Sequence, residues 1–145
     1  MGSGKNSKTF TNNSSEKIIT YSELNDRFRD AYKDYPRHER VNAFWLGVAY
    51  YEISALDKIA SDNNDKDLMK LTRRLWKQRD ELVDLNDNHQ LKTDVRVSNF
   101  WVKVSDLREG YTGVIYKTED SPYNQFLREF LFSSERVEER DDTPR

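Results

Sequence analysis

The sequence predicts one α+β domain: three N-terminal helices around a central buried helix, then a β-hairpin, then a C-terminal helix. Three observations carry that expectation. The stretch Val41–Ala60 is apolar on two sides at helical spacing. Residues 91–118 are rich in β-branched and aromatic side chains with partial alternation. Ser121-Pro122 then opens an apolar-striped run ending near residue 133.

The central helix is the anchor of the reading. Val41, Phe44, Trp45, Val48, Ala55, Leu56 and Ile59 fall on one helical face, and Leu46, Tyr50 and Ile53 on another. A surface helix has one apolar stripe, so a helix with two must be covered by several neighbours. Asn42, Glu52 and Asp57 interrupt the run. A membrane span would need about 20 predominantly apolar residues, which this stretch does not supply. Gly47 stands mid-helix, where glycine costs roughly 1 kcal/mol relative to alanine. Its presence predicts that a neighbouring element comes close there.

Composition sets the class. Hydrophobic residues make up 35% and charged residues 34% of the 145, yet aromatics reach 12%. A disordered chain would be poor in aromatics, so a small aromatic-rich core under a charged surface is expected. The net charge of −2 provides no global attraction for nucleic acid. The chain has no cysteine, which excludes disulfides, thiol catalysis and thiolate metal sites. Residues 1–20 lack the apolar centre of a signal peptide. A cytoplasmic protein without membrane contact is expected. Residues 1–17 read as a flexible arm, 18–133 as the domain and 134–145 as a charged, disordered tail.

The first helix is predicted over 20–34, because Thr20 and Glu23 have the spacing of a capping box. Leu24, Phe28, Tyr32 and Tyr35 make its apolar stripe. Pro36 breaks it and opens the central helix, predicted over 36–60. The acidic, Asn-rich link 61–67 fails the EF-hand pattern, which needs Gly at its sixth and Glu at its twelfth position. It reads as a turn whose Asp or Asn caps the next helix. The third helix is predicted over 66–85, burying Leu68, Leu71, Leu75 and Leu82.

Beyond His89 the reading changes to strands. Val95 and Val97 alternate, and Phe100, Val102 and Val104 alternate one residue out of phase, which predicts a bulge near Ser98-Asn99. Asp106–Gly110 reads as the turn and Tyr111–Thr118 as the returning strand. Two strands are marginal alone, so a third is expected from residues 17–21 or from a partner. A final helix over 122–133 follows.

Chemistry is sparse. Gly2-Ser-Gly-Lys5 lacks the full phosphate-loop spacing, and Asn6 stands where that loop needs Ser or Thr. His38 and His89 belong to no spaced metal or catalytic motif. No nucleophile elbow or dinucleotide loop is present. The chain is therefore expected not to be an enzyme, with no cofactor and no metal. Aromatics are enriched at the energetic centres of interfaces, so a protein-binding accessory or inhibitory module is expected, with Trp101, Tyr111, Tyr116 and Tyr123 as contacts. The alternative is a nucleic-acid-binding accessory protein using Lys66, Lys70, Arg73, Arg74 and Lys77, with Trp76 for stacking. A homo-oligomer through Leu46, Tyr50 and Ile53 is a further alternative.

Overall fold

The computed structural model describes residues 20–113 and 121–131, which form five helices and no strand. They are α1 (Tyr21–Ala31), α2 (Arg37–Asp62), α3 (Lys66–Asp87), α4 (Val95–Thr112) and α5 (122–131). The expected arm 1–17 and tail 134–145 lie outside the described residues.

The helix starts follow local chemistry. The Thr20 hydroxyl accepts from the Glu23 N–H at 3.1 Å, and the Thr20 N–H donates to Glu23 Oε1 at 3.3 Å, closing the predicted capping box. Asp65 accepts from the Leu68 N–H at 3.1 Å and caps α3. The Ser121 hydroxyl accepts from the Asn124 N–H at 3.1 Å ahead of α5.

α2 is the centre, as the sequence predicts, and it is covered on two sides. Leu46, Ala49, Ile53, Leu56 and Ala60 pack with Leu68, Leu75 and Leu82 of α3 and Val97, Phe100 and Val104 of α4. On the other side Phe44 and Val48 pack with Leu24 and Phe28 of α1 and Leu127 and Leu131 of α5. Trp45 and Trp101 touch both clusters, their ring centroids 4.6 Å apart. Fully burying one Leu or Ile side chain stabilises by about 1.5–3 kcal/mol, so a helix lined twice holds most of the fold's driving force. Leu46 and Ile53 are consumed by the α3–α4 side, at 2% and 0% exposure, so they offer no face to a second copy.

Chain directions follow from the cross-helix partners. Asp57 meets Trp76 at one end of the α2–α3 pair and Asn42 meets Asn86 at the other, so these helices are antiparallel. Trp45 meets Trp101, and two turns on the Arg108 charge acts on Glu52, so α4 runs parallel to α2.

The β-hairpin is overturned. Residues 95–112 are one α-helix, and the expected bulge at Ser98-Asn99 and turn at 106–110 lie inside it. Val97, Phe100, Trp101, Val104 and Leu107 recur at intervals of three and four and make one buried stripe. Val95 and Val102, which give the impression of alternation, are 55% and 45% exposed. β-propensity is a weak, context-dependent preference, and burial of a complete helical stripe outweighs it. Tyr111 and Thr112 end α4, and Gly113 closes it with a left-handed φ of 62°. The remainder of the expected returning strand lies outside the described residues. No third strand forms at Tyr21, which opens α1.

Gly47 has the close neighbour its position predicts. A Cβ built there would collide with the Phe126 ring of α5. That ring also meets Phe28 and Phe44 edge-on at 5.4 and 5.5 Å. Gly47→Ala is therefore expected to destabilise by about 1–3 kcal/mol through overpacking. Helix propensity alone would stabilise by about 1 kcal/mol, so the sign of the change in denaturant unfolding separates the two effects.

Candidate functional site

The surface feature best suited to binding is on α3 and its border with α4. α3 buries Leu68, Thr72, Leu75, Leu82 and Asn86 toward α2. At 3.6 residues per turn, Lys66, Lys70, Arg73, Arg74 and Lys77 then fall together on the opposite arc, and all five are exposed. None has an ion pair or side-chain hydrogen bond among the described residues. Asp80, Glu81, Asp84 and Asp87 continue the exposed surface of α3 toward its C-terminus. The helix macrodipole favours the reverse order, with anions near the N-terminus and cations near the C-terminus. Helix stability therefore does not account for this arrangement, and neither does internal ion pairing.

α3 and α4 both pack far more closely on α2 than on each other. They leave an open furrow of about 660 Å³, with Leu71, Leu75 and Leu107 in its floor and Arg74, Gln78, Asn99, Val102, Lys103 and Asp106 along its lips. A second depression shares Gln78, Asn99 and Lys103 and continues toward Leu82, Arg96 and Phe100. Lys103 Nζ donates to Gln78 Oε1 at 2.9 Å and links the two helices across the furrow. A further shallow depression is lined by Lys70, Arg73, Arg74 and Lys77 alone.

Of the residues expected to bind a protein, the described three, Trp101, Tyr111 and Tyr123, are not gathered into one exposed site. Trp101 is packed between the two cores, and its buried Nε1 finds no hydrogen-bond partner among the described residues. Tyr123 stacks on Tyr21 with centroids 4.6 Å apart, and its hydroxyl donates to Asn25 Oδ1 at 3.0 Å, so it joins α5 to α1. Tyr111 is 44% exposed at the end of α4. Tyr116 lies outside the described residues. The five expected basic residues do come together, but Trp76 turns away from them. Its Nε1 donates to Asp57 Oδ2 at 2.7 Å and its ring meets Tyr50 edge-on, so it is held by the fold rather than free to stack on a base. Sequence reasoning misses the α4 furrow residues Val102, Lys103 and Leu107, because the partial alternation over 91–104 suggests strands, and it reads Leu71 only as part of the buried face of the third helix. The helical period of Val97, Phe100, Val104 and Leu107 is the signal that finds them.

Other polar groups serve the fold. Asn42 Nδ2 donates to Asn86 Oδ1 at 3.2 Å and to the Thr93 carbonyl at 3.3 Å, and Asn86 Nδ2 donates to the Glu39 carbonyl at 3.1 Å. The buried Glu39 carboxylate lies 2.9 Å from His89 Nδ1, so His89 ties the α3–α4 connection to the start of α2. Among the described residues no group of three or more His, Cys, Asp or Glu could hold a metal ion. No described helix is long and apolar enough to cross a membrane.

Glu52 is the one buried carboxyl in the middle of α2, 2% exposed, with Oε2 lacking a hydrogen-bond partner among the described residues. Burial pushes its pKa up from 4.5 to about 7, and the positive charge of Arg108 opposes the rise. The folded state holds this proton more tightly than the unfolded state. Its contribution to stability is thus full below about pH 4.5 and lost as pH rises through about 7. Glu52→Gln is expected to flatten this part of the stability–pH curve. At pH 8 it should exceed the wild type by at most on the order of 3 kcal/mol, read by denaturant titration at several pH values.

Two aromatic substitutions separate core from surface. Trp101→Ala is expected to cost about 3–5 kcal/mol, since it opens a cavity between both clusters. Tyr111→Ala should stay within about 0.5 kcal/mol, as an exposed residue does. Thermal unfolding of both variants checks this. Compared with protein-family models, curated proteins and solved structures, the chain matches none, so its functional reading rests on the surface just described.

Proposed function

We propose that this protein is a small non-enzymatic protein-binding module, acting in the cytoplasm as an accessory or inhibitory factor through the α3–α4 furrow. The observation that supports the reading is the furrow itself, an open apolar floor of Leu71, Leu75 and Leu107 between two helices with polar and basic lips. Grooves of this kind between helices are where amphipathic segments lay their apolar face. An apolar centre inside a polar rim is also the usual anatomy of a protein interface. The site differs from the one the sequence suggests: Trp101 and Tyr123 belong to the packing, and Val102 and Lys103 take their place.

Capture with the full-length chain from its native host, after nuclease treatment, tests the reading. One protein retained in fixed ratio by wild type and Tyr111→Ala, and lost by Val102→Glu, is the expected result. Val102 is 45% exposed, so the substitution leaves the core untouched. Retention of the same partner by Val102→Glu would sink the reading, and so would a monomer that retains nothing.

A second reading, nucleic-acid binding, is favoured by one observation: the five cations of α3 stand together without ion-pair partners among the described residues. Phosphate contacts release counterions, so affinity would fall steeply with salt. Arg73→Glu with Arg74→Glu should then abolish a mobility shift seen at low salt. No shift with single- or double-stranded DNA or RNA at low salt removes this reading.

A further inference from the structure

The furrow carries two properties that together specify an occupant. Its floor is apolar, and Val102 adds an exposed apolar side chain at its lip. Its lips carry Arg74 from α3 and Lys103 from α4, and Lys70 and Lys77 lie one turn to either side of Arg74. Lys70, Arg74 and Lys77 have no carboxylate partner among the described residues. Asp106 is the acid on the lip of the first depression, and Glu81 is the acid on the second.

Resting on the reading of this furrow as a protein-binding surface, we propose that its partner is an acidic amphipathic helix. The apolar side of that helix lies over Leu71, Leu75, Leu107 and Val102. Its carboxylates meet Lys70, Arg74, Lys77 and Lys103. The two depressions run along α3 from Leu71 to Leu82, which is roughly 16 Å at about 1.5 Å per residue and matches about three helical turns. The α3 cations lack partners among the described residues, so pairing with the incoming helix breaks no ion pair already made there. The bond from Lys103 to Gln78 is exposed and opens as the helix seats.

The same surface argues against a nucleic-acid strand as the occupant. A nucleic-acid strand would use the cations, but it would leave the apolar floor uncovered.

Fluorescence anisotropy with the intact chain tests the proposal. The probes are labelled three-turn helical peptides: one with leucines at helical spacing and a glutamate face, a twin with lysine for glutamate, and an acidic control with serine for leucine. The first peptide is expected to bind at least about tenfold tighter than the other two, a gap of about 1.4 kcal/mol. Val102→Glu should weaken it about tenfold or more. Arg74→Glu with Lys103→Glu should reverse the preference between the two amphipathic twins, while circular dichroism reports unchanged helicity.

Equal binding of the acidic control would overturn the proposal in favour of simple charge attraction. Equal binding of the lysine twin would overturn it in favour of an apolar partner and leave the furrow reading standing. A native partner that depends on Val102, with no binding of the acidic peptide, has the same consequence. An oligonucleotide that displaces the peptide and binds more tightly overturns the proposal for a phosphate partner. Insensitivity of all binding to Val102→Glu removes both the proposal and the furrow reading.

Discussion

Every described helix depends on the double burial of α2. Four helices reach the core by packing against it, two on each side, and among the described residues Trp45 and Trp101 are the side chains packed against both clusters. Gly47 lets the Phe126 ring lie against the α2 backbone, so α5 sits closer than any side chain at position 47 would allow. This close approach fixes the second layer, where Phe28, Phe44, Phe126 and Phe130 interlock at centroid distances of 5.2–5.5 Å. Edge-to-face aromatic pairs add about 0.5–1.5 kcal/mol each beyond their area, so a polar sequence can still hold a small second core.

Because α2 collects most of the packing, α3 and α4 have little left to share with each other. Their facing residues include Gln78, Asn99 and Lys103, which are polar or long and do not close an apolar seam. The furrow is a consequence of that asymmetry. It sits beside an arc of cations that run against the dipole of their own helix, so stability alone does not explain the surface. Buried polar groups elsewhere have structural work. Asn42, Asn86 and Glu39 hold the register at one end of the bundle through the Asn42–Asn86 side-chain bond and the bond from Asn86 to the Glu39 carbonyl, while Asn42 Oδ1 has no hydrogen-bond partner among the described residues.

The helix starts of α1, α2 and α3 were legible because capping residues and periodicity act locally, while α1 ends at Ala31, three residues before the expected end. Thr20, Pro36 and Asp65 mark their starts in the sequence as in the structure. The α4 segment was not, because Val95 and Val102 are β-branched and exposed and mask the buried stripe between them. The consequence reaches the site. On a hairpin, aromatic residues near a strand edge would be available for binding. On a helix, Trp101 turns into the core, and Val102 and Lys103 turn outward. The basic arc was legible, since spacing of three and four within a clear helix places its five members on one face without knowledge of the neighbours.

By itself the sequence determined which segments had strong helical chemistry, that α2 must be surrounded, and that Gly47 needs a close neighbour. These follow from interactions within a few residues and from the need to bury apolar stripes. Only the tertiary structure decided that 95–112 is a helix, which helices share each side of α2, and that Trp76 is tethered to Asp57 while the cations beside it have no partners among the described residues. These depend on contacts between residues far apart in the chain. Local propensity at positions such as Val95 and Val102 is worth less than the burial those contacts provide, so it could not decide them.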